Sequence, residues 1–191
     1  MSDALNRWHE YGLARFGGSP ATALQQDVMD IRDAVFHRNA RATANEFSHL
    51  RSLDGPPPFF IATPDVLVTL HDDARARVEA ATRLAARPGA LLLDAEQIDV
   101  LERILTQVCG ARSRGLEPIQ KFWNRFFTMG PGHWGGWLLE TFPIVHEISF
   151  IDPARTKGGA RIRVGYQGST QLLTKANGTW TVTGASGHWI E

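Results

Sequence analysis

Three histidines and one tyrosine lie in the last third of the 191-residue chain. They are His133, His146, Tyr166 and His188. An imidazole gains or loses its proton near neutral pH, and a phenol can donate a hydrogen bond, so His146 as base and Tyr166 as donor could perform general acid–base catalysis. The other interpretation of His146 is a hydrogen-bonded residue of the core.

A glycine-rich segment, residues 130–137 with the sequence GPGHWGGW, precedes the strands that carry these groups. Glycine permits close approach of a ligand and tryptophan offers a large contact area, so this segment is typical of a flexible lip beside a pocket. It could instead be a tight connection whose tryptophans fill the open end of the core. The predicted ligand-binding residues are His133, Trp134, Trp137, His146, Tyr166 and His188.

The sequence contains no motif for a metal or a nucleotide cofactor. The seven histidines include no HExxH pair, and no G-x-S-x-G, GxxxxGK[ST] or strand-linked GxGxxG motif occurs. Cys109 is the single cysteine and follows an apolar helical stripe, so an internal disulfide is excluded and a small buried residue is expected. We therefore expect no metal and no cofactor.

Charge and hydropathy argue against nucleic-acid and membrane partners. Twenty basic and twenty acidic side chains give zero net charge, which provides no general attraction to polyanions. The first sixteen residues lack the pattern of a secretory signal, and no run of about 20 apolar residues occurs. We expect a cytoplasmic protein whose partner is a small apolar ligand or another protein.

The hydrophobic pattern predicts one α+β domain over residues 1–191, mainly helical over 1–128, with an antiparallel sheet over 134–191. A short first helix is expected to bury Leu5, Trp8 and Phe16. Ser19-Pro20 predicts the start of a helix that reaches about His49. Asp94 and Gln97 form a capping box for a helix that ends at Gly110.

Two further helices are predicted in the first two-thirds. Thr63-Pro64 could begin a long helix that reaches Pro88, although Val66–Leu70 also suits a short strand. The last helix is expected to run from Glu117 or Pro118 to about Phe127.

The C-terminal third alternates with a period of two and predicts about four antiparallel strands. Ile144, His146, Ile148 and Phe150 would share an inward face. We expect turns at Asp152-Pro153, at Gln167–Ser169 and at Asn177-Gly178, where Asn-Gly is a strong hairpin signal.

The segment GTWTVTG at residues 178–184, with the preceding hairpin and the terminal His-Trp-Ile, resembles the closing strands of the NTF2-like superfamily. The resemblance covers Glu117 to Glu191. It implies a cone in which a curved sheet wraps around helices, and such cones often hold small apolar ligands or form homodimers through the sheet.

Two functions of different classes follow. The first is a non-catalytic domain that binds a small ligand or a protein, of a bacterial accessory or immunity type. The second is a small enzyme of the ketosteroid-isomerase or polyketide-cyclase kind that uses general acid–base catalysis. No position in this sequence matches the catalytic Asp-Tyr pair of those enzymes.

Overall fold

The computed structural model describes residues 2–16, 18, 22–46, 59–86, 88–109, 122, 125–126, 129–131, 137–139, 144–164 and 167–190. Within these ranges lie four helices and ten strands. The helices are α1 (Ser2–Phe16), α2 (Ala23–Glu46), α3 (Thr82–Ala85) and α4 (Ala95–Cys109). None of them is long and apolar enough to cross a membrane.

Six of the strands form one mixed, largely antiparallel sheet in the order β10-β9-β8-β7-β2-β3. Their bounds are β2 (Asp65–Thr69), β3 (Arg75–Glu79), β7 (Ile144–Phe150), β8 (Lys157–Val164), β9 (Gln167–Ala176) and β10 (Thr179–Ile190). The β2–β7 pair is parallel, and the other pairs are antiparallel. The protein therefore combines helices with a sheet as an α+β fold.

Helix α2 packs on one face of this sheet, here called the inner face. Thr22 caps the helix, because its Oγ1 accepts from the Gln25 amide at 3.1 Å while the Gln25 side chain accepts from the Thr22 amide at 3.0 Å. A helix is confirmed here, but it begins at Ala23 after the Thr22 cap, so the start predicted at Ser19-Pro20 is not confirmed, and residues 19–21 lie outside the described residues. The largest apolar core among the described residues lies between α2 and the inner face of the sheet. It includes Val28, Ile31 and Val35 of α2 and Val66, Val68, Ile148, Ile162, Leu173 and Trp180 of the sheet.

A second core joins α1 and α4 to a parallel pair of short strands, β1 (Phe60–Ala62) and β4 (Ala90–Leu92). Leu5, Ile61, Leu91 and Ile98 are buried there. The capping box of α4 is confirmed, since the Gln97 amide donates to the Asp94 carboxylate at 2.8 Å and the Asp94 amide donates to the Gln97 side chain at 3.0 Å. A last antiparallel pair consists of β5 (Met129–Pro131) and β6 (Trp137–Leu139), and α4 packs against β6.

The four-stranded C-terminal meander is confirmed in β7–β10. Asn177 and Gly178 have φ values of 50° and 78°, as a tight hairpin turn requires. In β10 the side chain of Trp180 is buried and Val182 is partly buried, while Thr179, Thr181 and Thr183 are exposed. The expected orientation of this strand is therefore correct.

The predicted helix from Thr63 to Pro88 is wrong. Residues 65–79 form the β2–β3 hairpin, whose turn contains Asp73 at a φ of 63°, and only α3 is helical. Valines at positions 66 and 68 favour the strand, because their branched side chains both pack into the core of the inner face. The mainly helical character of residues 1–128 is not confirmed, because residues 60–92 contribute four strands.

Two smaller expectations also fail. Trp8 is 37% exposed, because the face of α1 that packs against the rest of the fold carries Leu5, His9 and Gly12 instead. Gln167–Ser169 are not a turn; they are the first residues of β9, all three paired with β8, and Gln167 and Gly168 are also paired with β10. The helix expected over Glu117–Phe127 lies almost wholly outside the described residues, and so does the side chain of Cys109.

Candidate functional site

Of the six predicted site residues, the structure describes the side chains of His146 and His188 alone, and it does not bring these two together. His133, Trp134 and Tyr166 lie outside the described residues, and Trp137 is in β6 with its side chain outside them. His146 and His188 are both exposed. They lie on β7 and β10, which are separated by two strands, a distance of about 14 Å across the sheet.

The inward orientation predicted for His146 is wrong because of a β-bulge. Val145 lies opposite Ile162 and Glu147 lies opposite Arg161, so His146 is the extra residue of the bulge. The bulge reverses the alternation, so that Val145 is 3% exposed and His146 faces solvent. His146 therefore cannot act as a base inside the fold.

The structure does gather a charged cluster around Asp27, a residue of α2 that is 3% exposed. Its Oδ1 accepts from Lys175 Nζ at 2.5 Å and from Trp180 Nε1 at 3.1 Å, and its Oδ2 accepts from Arg155 Nε at 2.9 Å. The three donors come from β9, β10 and the β7–β8 connection. The cluster therefore ties the start of α2 to one end of the sheet.

The electrostatics of Asp27 do not suit a general base. Burial by itself would raise the pKa of this carboxyl, but hydrogen bonds from Lys175 and Trp180 and the nearby cationic charges outweigh burial and lower the pKa below its ordinary value of 3.8. A general base at neutral pH works best with a pKa near that pH. The Asp27 cluster is therefore a structural clamp.

A second buried charge, Arg32, has a similar structural role. It is 5% exposed, and its guanidinium donates to the Ala80 carbonyl at 2.9 Å and to the Thr63 carbonyl. Burial lowers the pKa of Arg32 to about 10, with the charges of Asp65 and Asp33 opposing that shift. The side chain thus remains charged at neutral pH and fastens α2 to the two ends of the β2–β3 hairpin.

Ser169 and Gln171 of β9 form a polar pair on the inner face, and not all of their hydrogen-bonding groups are satisfied. Ser169 is 6% exposed and Gln171 is 4% exposed. Gln171 Nε2 donates to Ser169 Oγ at 3.0 Å, while Gln171 Oε1 has no hydrogen-bond partner. Rotating the amide by 180° would pair the oxygen with the serine hydroxyl but would leave the amide nitrogen without a partner. One end of this buried amide is therefore unsatisfied in either assignment.

The surroundings of this pair are apolar. In the β8–β9 ladder Ser169 is opposite Ile162 and Gln171 is opposite Ala160, and both of those residues belong to the core beneath α2. A buried amide group without a partner costs about 1–3 kcal/mol, so natural proteins leave few of them unexplained. We call Ser169 and Gln171 the inner polar pair.

The turn predicted at residues 167–169 conceals this pair in the sequence. Extending the alternation of β9 backward from Leu173 would have placed Gln171 and Ser169 on the same face as that core leucine. Two polar residues at consecutive inward positions of a strand are the signal that could have identified them.

The opposite, outer face of the sheet carries an arginine stacked on a tryptophan. The Arg161 guanidinium lies 5.0 Å from the centroid of the Trp189 ring. Next to it, Arg163 is 8% exposed and pairs with Glu102 of α4 at 3.4 Å. Glu102 also lines a groove of about 640 Å³ along α4, together with Asp99, Arg103, Thr106 and Gln107.

Metal chemistry finds no support in the part of the chain that the structure describes, where no three His, Cys, Asp or Glu side chains are close enough to share an ion. No protein-family model, no curated protein and no solved structure matches the chain.

Proposed function

We propose that this protein is a non-catalytic domain of the NTF2-like kind that binds a small, largely apolar ligand between α2 and the inner face of the sheet. The observation that carries the proposal is the unpartnered end of the buried Gln171 amide within an apolar core. An unsatisfied buried amide destabilises the fold, and a ligand that completes its hydrogen bonds would remove that cost.

The inner polar pair defines the polar group of the ligand. Gln171 Oε1 can accept a hydrogen bond, and the hydroxyl of Ser169, whose oxygen accepts from Gln171, can still donate one. An alcohol or a carboxamide both donates and accepts, so either would satisfy the two residues together. The rest of the ligand would meet aliphatic side chains such as Ile162 and Leu173.

The superfamily resemblance and the position of the pair support the same site. A helix-backed sheet has its interior between the helix and the inner face, where this pair is buried. Tyr166 precedes Ser169 by three residues in the sequence and is the predicted site residue closest to the pair along the chain. We therefore keep Tyr166 as a proposed neighbour of the ligand and omit His146 and His188, which face solvent.

The enzyme alternative has less support. General acid–base catalysis needs a base that faces the substrate, and His146, the candidate, is exposed at a bulge. The low pKa of Asp27 and its three donors disqualify that carboxylate as well. Binding without a covalent step is the better conclusion.

Binding of paired probe molecules would test this proposal. Benzyl alcohol and cyclohexanol would each be titrated against their hydrocarbons, toluene and cyclohexane, while the side-chain amide of Gln171 is followed by NMR. We expect each alcohol to bind at least about tenfold more tightly than its hydrocarbon and to shift the Gln171 amide signals, a difference that corresponds to one well-placed hydrogen bond.

The variant Gln171→Met should abolish the preference for alcohols, whereas Gln107→Met, which changes an exposed glutamine of α4, should preserve it. Equal binding of alcohol and hydrocarbon would overturn the proposal. So would a long-lived internal water detected beside Gln171 by water–amide NOEs, because that water would satisfy the amide without a ligand.

A further inference from the structure

Strand β3 is one of the two edges of the six-stranded sheet. No described strand pairs with the side of β3 that faces away from β2, here called the open edge. The sheet's other edge is β10, whose ladder with β9 shifts register twice. Bulges on an edge strand hinder pairing with a further strand. The β2–β3 ladder has no register shift, so β3 is the regular edge of the sheet.

The hydrogen bonds of the β2–β3 hairpin show which backbone groups face the open edge. The Leu70 amide donates to the Ala74 carbonyl at 2.8 Å, and the Ala80 amide donates to the Pro64 carbonyl at 3.0 Å. In an antiparallel ladder, hydrogen-bonded pairs alternate with pairs that are not hydrogen-bonded. The even-numbered residues of 74–80 are therefore those that bond to β2. The outward amides and carbonyls belong to the odd-numbered residues of β3: Arg75, Arg77 and Glu79.

The side chains of β3 alternate between the two faces of the sheet. Val78 belongs to the core of the inner face, and Ala76 points the same way but is exposed. The side chains of Arg75, Arg77 and Glu79 point to the outer face and are exposed. The outer row of β3 is therefore positive at its start and negative at its end.

The two end charges of β3 lack partners among the described residues. Glu79 lies directly opposite Asp65, and like charges at such positions destabilise a ladder. Asp65 is balanced by Arg77 at 3.3 Å. Neither Glu79 nor Arg75 forms an ion pair within the described part of the chain. A cation beside Glu79 and a carboxylate beside Arg75 would each remove an unbalanced charge.

We propose that β3 pairs antiparallel with β3 of a second copy of this chain, about a twofold axis at Arg77, and so joins the two sheets edge to edge. The outward residues of the two copies then form three pairs, and each pair exchanges two backbone hydrogen bonds. Any other twofold register of β3 with itself would form one or two such pairs. The contact uses the edges of the sheets and leaves their faces free.

Charge complementarity selects a second copy as the occupant of the open edge. In this register Arg75 of each copy lies opposite Glu79 of the other, so both unbalanced charges gain a partner. The new cation also offsets the repulsion between Glu79 and Asp65. A segment with the same fit must carry a cation and a carboxylate in the order of β3, and a second β3 supplies that order.

The remaining positions of the paired strands are compatible with the same contact. On the inner face Ala76 lies opposite Val78 of the other copy, so apolar side chains meet. The central pair places the two copies of Arg77 together, and each keeps its own Asp65 as a partner at 3.3 Å. The acidic turn at Asp72-Asp73 lies beyond the paired residues. The proposal goes beyond ligand binding at the inner polar pair, which does not involve β3.

Sedimentation equilibrium of the whole chain tests the association. Five residues a side make a small interface, so we expect a monomer at about 10 μM and a dimer at about 1 mM. Hydrogen exchange locates the contact. The amides of Arg75, Arg77 and Glu79 should exchange at least about tenfold more slowly in the dimer, whereas those of Ala76 and Val78 should be protected in both states.

Charge reversals test the register. Arg75→Glu and Glu79→Arg should each weaken the dimer about tenfold or more, because each variant creates two like-charged pairs. An equimolar mixture of the two variants should dimerise again, since both end pairs of the mixed dimer carry opposite charges. Arg7→Glu, the same reversal at an exposed position of α1, is the matched control and should leave the dimer unchanged.

Three results would overturn the proposal. The first is a monomer over the whole concentration range. The second is a dimer that survives both reversals with the outward amides still exchanging rapidly; its loss in Ile104→Ser would assign the contact to α4, where Ile104 is 48% exposed. The third is a mixture of the two reversed variants that stays monomeric, because the antiparallel register requires it to pair.

Discussion

Gly168 lies directly opposite Trp189 in the β9–β10 ladder, and the indole occupies the space that a side chain at residue 168 would need. A Cβ placed on Gly168 would be 1.9 Å from Trp189 Cε2. The tryptophan therefore rests on bare backbone, which holds its ring beneath the guanidinium of Arg161. Glycine is required here for space rather than for an unusual φ.

The substitution Gly168→Ala should expel the indole and lower the free energy of unfolding by about 1–3 kcal/mol. The double variant Gly168→Ala, Trp189→Ala should be less destabilised than the sum of the two single variants, because without the indole the new methyl group at residue 168 has nothing to clash with. Urea titrations of the four proteins measure this coupling. Strict additivity would contradict the contact.

Asp27→Asn should destabilise the fold by about 2 kcal/mol, since the amide keeps an acceptor for Trp180 but loses the charge that faces Lys175 and Arg155. The folded pKa of Asp27 lies below the unfolded value of 3.8. The ionised carboxylate therefore stabilises the fold fully at pH values well above 3.8, and this contribution is lost as the pH falls through the folded pKa.

The pH dependence provides the check on Asp27. Urea titrations between about pH 6 and pH 2 should show a smaller loss of stability in Asp27→Asn than in the unaltered protein over the acid range. Asp3→Asn, an exposed change on α1, should follow the unaltered protein. Identical acid profiles for all three would argue against the clamp.

Trp180→Ala should cost about 3–5 kcal/mol, because the indole is 3% exposed and packs 5.8 Å from the Phe150 ring. Trp180→Phe should cost less, since it keeps most of the packing and loses the donor to Asp27. Trp8→Ala, at a position 37% exposed, is the comparison and should cost under about 1 kcal/mol. A loss below that value for Trp180→Ala would contradict its place in the core.

Gln171→Met should leave stability unchanged or raise it by about 1 kcal/mol, because it removes a buried amide with an unsatisfied end and fills a similar volume with an apolar chain. Thermal unfolding of Gln171→Met measures this change in stability, and Gln107→Met, the same substitution at an exposed position, is the control. A loss of more than about 1 kcal/mol would indicate that the amide already has a structural partner.

The sequence predicted those elements whose signals are local. The α4 capping box, the Asn177-Gly178 turn and the alternation of β10 each depend on residues within a few positions of one another. For Val66–Leu70 the sequence pattern suits both a helix and a short strand, and the strand is stabilised by distant partners in α2 and β7, so local signals do not select it.

The candidate site was harder to predict because it, too, depends on contacts between residues that are distant in the sequence. A single extra residue in β7 turned His146 outward, and no composition rule locates a bulge. The donors to Asp27 lie 128, 148 and 153 residues away in sequence, so their meeting depends on the whole topology.

The parallel pairing of β2 with β7 sets the order in which the sheet can form. Each strand of the β7–β10 meander pairs with its sequence neighbour, whereas the hydrogen bond from Thr69 to Glu147 closes a loop of 78 residues. Closing a long loop costs conformational entropy before any contact offsets it, so the meander is expected to form first and the β2–β3 hairpin to join a preformed edge. Until that step is complete, β7 presents a free edge, in addition to the edge of β10, that can pair with another molecule.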